Sequence, residues 1–378
     1  LGLIDTFMVG ALGEAPLAAV TLANVPVFVI QLVIFGLQSG SSVLISQYWG
    51  KGDVESINRV MGIGCYVAGA ISVLFALAMG LFPRQLMGML TDNPALVEIA
   101  AGYARIVGPS YLFNSLTGIY VGAHRSMGNP RLGLVVFTIS MCTNTALNWV
   151  LIFGNLGAPR LEVKGAALAT LISRVVEFAA MAVYAGGNRR FRLRLSCLIR
   201  PGREIVRKFI HYSGPVVFNE GMWGLGTSLY KVIMGHMEGS TEILAARALA
   251  GNIEDICLVA IFAMAGTTGI TVGREIGSGR DSGTVYQVGA AMDTLALFCG
   301  LGIGLVLLAA TRLFLAPVVY PLFRLSENAA GIATMMLTFT AAAMPLRAFN
   351  TTNTVGVLRG GGDVRAAMLI DILPLWCV

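Results

Sequence analysis

The run "LAAVTLANVPVFVIQLVIFGLQSGSSVLIS", residues 17 to 46, contains no charged residue. A helix rises 1.5 Å per residue, so about 20 residues cross the roughly 30 Å hydrocarbon core of a membrane. The strands of a membrane β-barrel would instead alternate apolar and polar residues over about 10 positions, and this run does not alternate in that way. The run therefore predicts a membrane-spanning helix.

Similar runs recur along the whole chain, in which 56% of residues are hydrophobic and only 12% are charged. A soluble domain carries about twice that share of charge. We predict nine complete spans, at residues 17–46, 58–82, 95–122, 131–153, 165–186, 209–236, 244–272, 285–315 and 329–357. Residues 1–12 and 365–378 are read as partial spans, so we expect a chain cut at both ends and twelve helices in the native protein. The predicted fold is all-α and polytopic.

The lysine and arginine residues of the connections predict the orientation. Sixteen of them fall on one side: Lys51, Arg59, Arg125, Arg131, eight in the loop 187–208, Arg274, Arg280, Arg359 and Arg365. Five fall on the other side: Arg84, Arg160, Lys164, Arg312 and Arg324. The positive-inside rule places the sixteen in the cytoplasm of a protein of the inner (plasma) membrane. The net charge of +6 then reflects topology, and no nucleic-acid partner is expected.

Two sequence blocks occur twice in the same order. "SQYWGKGD" (46–53) matches "GREIGSGRD" (273–281), and "VGAHRSMGNPR" (121–131) matches "VGVLRGGGDVR" (355–365). A repeat of six helices has an even number of crossings, so both halves enter the membrane from the same side. We predict two six-helix bundles related by a pseudo-two-fold axis along the membrane normal: an N-terminal lobe 1–186, a basic linker 187–208 and a C-terminal lobe 209–378. Such duplication favours alternating access over a fixed pore.

The glycines of these blocks are interpreted as helix-end turns that need positive φ. They do not form a nucleotide-binding loop, because the chain has no G-x-x-x-x-G-K-[ST] motif. The three histidines lie far apart, H-E-x-x-H and G-x-S-x-G motifs are absent, and the six cysteines are scattered. We therefore expect no enzyme, metal cluster or cofactor, and transport would depend on an ion gradient.

Taken together, "IDTFMVGALG", "SQYWGKGD", "NWVLIFGNLGAP", "VKGAALAT" and "LRGGGDVR" resemble the multidrug and toxic compound extrusion family across essentially the whole chain. Such proteins have twelve helices in two lobes and export organic, often cationic, compounds in exchange for H⁺ or Na⁺. The resemblance thus implies small organic substrates and secondary antiport. We also expect a monomer in the lipid bilayer.

The resemblance also implies site residues. The family's first helix carries an acidic residue, on which Asp5 falls. Its fifth helix has two polar positions that match Asn144 and Asn148, although some relatives have Asp at the second of these. Thr170 falls near a hydroxyl position of the sixth helix, and Glu220 matches a glutamate that some members carry on the seventh.

Physical reasoning reaches Asp5 independently. A carboxyl group inside an apolar bundle favours its neutral form, so Asp5 is a candidate proton carrier. If ionised, it would bind Na⁺ together with oxygens of Asn144, Asn148 and Thr170, or attract a cationic substrate. The blander alternative is a carboxylate that only hydrogen-bonds a neighbouring helix.

The other embedded charges have more ordinary interpretations. Arg174 and Glu177 are spaced i, i+3, and Arg247 and Glu254 are spaced i, i+7. The two opposite charges of each pair are therefore expected to neutralise each other on one helix face. Asp371, between "LI" and "ILPLW", is a secondary cation or substrate candidate beside Glu220. Glu254, Asp255 and Asp293 are further secondary candidates.

Three alternatives remain at this point. A flippase for a lipid-linked precursor would need cationic residues in its cleft, and the embedded Arg and Lys residues lie scattered. An intramembrane enzyme would need a catalytic cluster. A structural membrane protein would have little use for Asp5 and the asparagine pair in its interior.

Overall fold

A computed structural model describes residues 5, 8–188, 191, 193–199, 201–237, 240–322 and 326–377. Eleven longer helices run through these residues: α1 Glu14–Lys51, α2 Val54–Leu81, α3 Pro94–Val107, α4 Ser110–Ser126, α5 Arg131–Phe153, α6 Glu162–Gly187, α7 Arg203–Gly235, α8 Ser240–Gly277, α9 Ser282–Ala310, α10 Glu327–Thr351 and α11 Val364–Cys377. Short helices connect some of them: Pro83–Gly88, Asn155–Gly157, Leu195–Ile199, Tyr320–Leu322 and Arg359–Gly361. π-helical turns cover Thr311–Val319 and Thr352–Leu358. Strands are absent from the described residues.

Within the described residues, seven helical segments are long and apolar enough to cross a membrane: Glu14–Lys51, Val54–Leu81, Arg131–Phe153, Glu162–Gly187, Glu242–Gly277, Ser282–Val319 and Glu327–Gly361. Helices also occupy the other two predicted spans, as the pair α3 and α4 and as α7. The prediction of an all-α, polytopic membrane protein is therefore confirmed. Residues 1–4 and 6–7 of the first partial span lie outside the described residues, as do Arg189, Arg190, Arg192, Arg200 and Arg324 of the charge count.

Local chemistry explains two interruptions of the helical pattern. α3 ends at Val107 and α4 begins at Ser110, because Pro109 has no N–H to donate to the preceding turn. Pro317 lies inside the π-helical turn Thr311–Val319, where it has no N–H to donate to the preceding turn. The apolar pattern predicts the length of these spans and gives no signal for either π-helical turn.

The chain divides into two compact units. The first comprises residues 1–45 and 53–217, and the second comprises residues 46–52 and 218–378. In the second unit, α8, α9 and α10 bury a core of small and branched side chains, among them Leu258, Ile261, Leu307, Leu337 and Met344. The residues 203–208, predicted as linker, form the start of α7.

The repeated blocks form the same local structure. Gly52 and Gly279 have φ of 73° and 77°, and Gly128 and Gly362 have φ of 82° and 100°. Only glycine adopts this region without strain, which confirms the interpretation of these positions as helix-end turns.

An N-cap aspartate follows each glycine of the first pair, Gly52 and Gly279. Asp53 accepts a hydrogen bond from the Ser56 amide at 3.0 Å, and Asp281 accepts one from the Thr284 amide at 2.9 Å. The helix that follows therefore begins in the same way in both copies of the first block, 46–53 and 273–281.

Candidate cation-binding site

α5 and α6 carry most of a polar cluster inside the first unit. The buried face of α5 repeats every four residues through Val136, Ser140, Asn144 and Asn148, as the i, i+4 spacing predicts. α6 approaches α5 closely, because a Cβ atom on Gly165 would lie 2.5 Å from the carbonyl oxygen of Leu151. Close contact of two helices thus buries polar side chains that a looser pair would leave accessible.

Asp5, Asn144, Asn148 and Thr170 form one hydrogen-bonded group. Asn148 Nδ2 donates to Asp5 Oδ1 at 2.5 Å and to Asn144 Oδ1 at 3.2 Å. Thr170 Oγ1 donates to Asp5 Oδ2 at 3.5 Å, and Asn144 Nδ2 donates to Thr170 Oγ1 at 3.4 Å. The last two bonds are long, so Asn148 is the strongest partner of Asp5. The structure brings together the four residues predicted from the sequence, and their role stays a prediction.

These four side chains are buried. Asp5 and Thr170 are each 7% exposed, and the two asparagines are 0% exposed. Asn148 Oδ1 lies buried without a hydrogen-bond partner in the described part of the chain. A buried amide oxygen normally has a partner, so this atom is a free acceptor beside the Asp5 carboxyl group. Carboxylate, amide and hydroxyl oxygens are the ligands that hard cations take.

Tyr103 of α3 belongs to the same neighbourhood and was missed from the sequence. Its side chain is 3% exposed and lies near that of Thr170. Nothing in "AGYARIVG" distinguishes this tyrosine from one that packs against lipid, because its contact depends on how α3 and α6 pack.

The predicted pairs on α6 and α8 are both confirmed. Arg174 Nη1 lies 2.6 Å from Glu177 Oε2, and Arg247 Nη1 lies 2.7 Å from Glu254 Oε2. Glu254 also binds Arg347 of α10 through its other carboxylate oxygen, a contact that the sequence did not indicate. Each of these two acids is therefore compensated by arginine.

Glu220 and Asp371, the secondary candidates, share one arginine in the second unit. Arg359 Nη1 lies 2.8 Å from Glu220 Oε1, and Arg359 Nη2 lies 3.1 Å from Asp371 Oδ2. Asn219 Nδ2 also donates to Asp371, at 3.0 Å.

Arg359 lies in a helix, not in the loop to which the charge count assigns it. It begins the short helix Arg359–Gly361 and is 3% exposed. The loop count had placed it there because it directly precedes the glycine run of "LRGGGDVR".

Comparisons with known proteins agree with this architecture. The sequence model of the MatE family matches residues 1–150 and 216–375. Proteins named probable multidrug resistance protein NorM are 29% identical in Bradyrhizobium diazoefficiens and 27% identical in Rhodopseudomonas palustris; the matches cover 99% of this chain and 79% and 78% of those proteins. The uncharacterized transporter YisQ of Bacillus subtilis is 25% identical over 100% of this chain and 81% of its own length.

Solved structures show the same fold. A mutant of the Vibrio cholerae MATE transporter VcmN superposes with a TM-score of 0.85 at 22% identity, covering 100% of this chain and 82% of that one. A MOP superfamily transporter from Pyrococcus furiosus superposes with a TM-score of 0.82 at 23% identity, covering 98% and 80%. At this level of identity the likeness concerns the fold alone.

Proposed function

The chain belongs to the MatE family of multidrug efflux transporters, and we propose that it exports small organic compounds, often cationic, in exchange for H⁺ or Na⁺. The observation that carries the ion coupling is Asp5, a buried carboxyl group surrounded by Asn148, Asn144 and Thr170. Several of the related proteins are named for multidrug resistance, which supports the substrate class.

The energetics favour exchange over simple efflux. Moving a monovalent cation out of a negative cytoplasm costs about 2.3 kcal/mol per 100 mV. One inward H⁺ or Na⁺ cancels this electrical cost. The concentration gradient of that ion then drives export with roughly 1.4 kcal/mol per tenfold difference.

Coupling requires that ion and substrate not leave independently on the same side. In the proposed cycle, the inward-facing state takes up substrate and the transporter converts to its outward-facing state. An ion then binds at Asp5 and weakens the substrate site, so the substrate leaves and the ion-loaded carrier returns. The protein needs no cofactor and no catalytic step in this cycle.

The same proposal places the protein as a monomer in the inner (plasma) membrane with the basic segment 187–208 in the cytoplasm. A flippase for a lipid-linked precursor is less well supported. It would need cationic groups free to bind a phosphate, whereas Arg174, Arg247, Arg347 and Arg359 each bind an acid of this chain.

The test uses the purified protein in liposomes that contain a fluorescent organic cation. We expect efflux when either a proton gradient or a sodium gradient is imposed, and loss of that efflux when the gradient is collapsed with an ionophore. Asp5→Asn should abolish it, whereas Asp92→Asn, at an exposed acid of the same unit, should leave it unchanged. Efflux at the same rate with and without each gradient would reject antiport.

A further inference from the structure

The buried acids fall into two classes according to their partners. Among the described residues four acidic side chains are buried: Asp5, Glu177, Glu254 and Asp293. Glu177 and Glu254 bind arginine. Asp5 and Asp293 form no ion pair in the described part of the chain. Each of them instead accepts one short hydrogen bond from an asparagine amide.

The Asp293 pair lies within the second unit, between α9 and the π-helical turn after α10. Asn353 Nδ2 donates to Asp293 Oδ2 at 2.8 Å. The two helices pack closely on either side of this contact, because a Cβ atom on Gly289 would lie 3.3 Å from Val357 and one on Gly300 would meet α10 at 2.6 Å. Antiparallel packing through these glycines places residue 293 opposite residue 353.

The second oxygen of the Asp293 carboxyl group, Oδ1, accepts no hydrogen bond from the described residues. Asp293 is 7% exposed, and its Oδ1 is buried with no hydrogen-bond partner among the described residues. Thr352, at the start of the same π-helical turn, is 0% exposed and also has a hydroxyl group without a partner there. Thr352 and Ala296, one helical turn from Asp293, line one cavity of about 640 Å³. Asp293 Oδ1 and Thr352 Oγ1 are therefore two buried oxygens without hydrogen-bond partners among the described residues.

We propose that Asp293 and Asn353 form a second binding site for one monovalent cation, a proton or Na⁺. A buried carboxylate without a counter-charge is unfavourable, so the group takes up a proton or holds a cation. Asn353 fixes one carboxyl oxygen and leaves the other for the ion. π-helical turns occur often at functional sites, and this turn carries Asn353 and Thr352.

The proposal goes beyond the antiport mechanism. The site rests on contacts inside the second unit only, and Asp5 lies in the first. With both sites occupied the protein holds two cations per molecule, one in each unit.

The experiment counts those cations on the purified, full-length protein. Infrared difference spectra over a pH series report protonated carboxyl groups through their C=O stretch, and equilibrium binding of radioactive ²²Na⁺ reports bound sodium. We expect wild type to show two cation sites, each seen either as a carboxyl band that titrates or as a bound Na⁺. Asp293→Asn should show one. Glu327→Gln, at an exposed acid of α10, should still give two.

Two arms distinguish the ions. If the site holds a proton, Asp293→Asn removes one carboxyl band and Na⁺ leaves that band unchanged. If it holds Na⁺, adding Na⁺ removes the band and the variant binds one Na⁺ fewer. Asn353→Val keeps the carboxyl group and should shift the band instead of deleting it, which separates a site effect from misfolding.

Spectra and Na⁺ counts for Asp293→Asn that equal those of wild type would overturn the proposal. It would also fail if wild type gave a single site that Asp5→Asn removes. Failure of the transport proposal would look different, because gradient-driven efflux would then be absent while the Asp293 site still titrated.

Discussion

Replacing Arg359 with methionine is expected to destabilise the second unit. The guanidinium group is almost fully buried and binds two acids, at 2.8 and 3.1 Å. Methionine fills much of the same space but leaves the carboxylates of Glu220 and Asp371 without a positive charge. Breaking a buried ion pair costs about 3–5 kcal/mol. The side chain of Asp371 is 24% exposed and can recover some hydration, so the lower end of that range is expected.

Thermal unfolding of the purified protein measures the effect. A loss of 3 kcal/mol corresponds to a fall in Tm of roughly 6–12 °C for a unit of this size. Adding Glu220→Gln and Asp371→Asn to Arg359→Met should restore most of that loss, because no unpaired charge remains. Arg125→Met is the matched control, since Arg125 matches Arg359 in the repeat but is exposed. Equal Tm values for Arg359→Met and Arg125→Met would show that the ion pairs of Arg359 do not stabilise the second unit.

Three further perturbations test other parts of the account. Asn148→Leu removes the 2.5 Å hydrogen bond to Asp5 and should weaken Na⁺ binding or shift proton binding roughly 10- to 100-fold, measured by equilibrium titration. Gly300→Ala forces a side chain into the contact with α10 and should cost about 1–3 kcal/mol in chemical unfolding. Hydrogen bonds from the Thr284 hydroxyl and amide groups lower the pKa of Asp281 below its ordinary value of 3.8. The ionised N-cap therefore contributes its full stabilisation of α9 above about pH 4. Its contribution is lost as the pH falls through the lowered pKa, and the stability difference between Asp281→Ala and wild type should vanish there.

The sequence predicts the helices well because their signal is local. An uncharged run such as 17–46 identifies a membrane span without knowledge of any neighbour, and α1 covers that run. The duplicated glycine blocks predict helix-end turns for the same reason, since the positive φ of Gly52 and Gly279 is a property of single residues.

Contacts between distant helices are harder to predict. Asn144 and Asn148 share a helix face by spacing alone, but only the family resemblance joined them to Asp5. The burial of Arg359 is not predictable from its local sequence, because its partner Glu220 lies 139 positions away in the chain.

Asp293 was a secondary candidate and its partner Asn353 was not identified. Sixty positions separate these residues, and their pairing depends on how α9 and α10 pack.

Ion flux triggered by substrate shows whether Asp5 couples ion movement to substrate movement. Liposomes containing the purified protein are given an outward gradient of an organic cation and no ion gradient, and the entry of H⁺ or Na⁺ is recorded. We predict that wild type takes up ions in proportion to the substrate that leaves, and that Asp5→Asn, with an unchanged unfolding profile, takes up none. Ion entry in Asp5→Asn at the same ratio to substrate as in wild type would contradict this coupling.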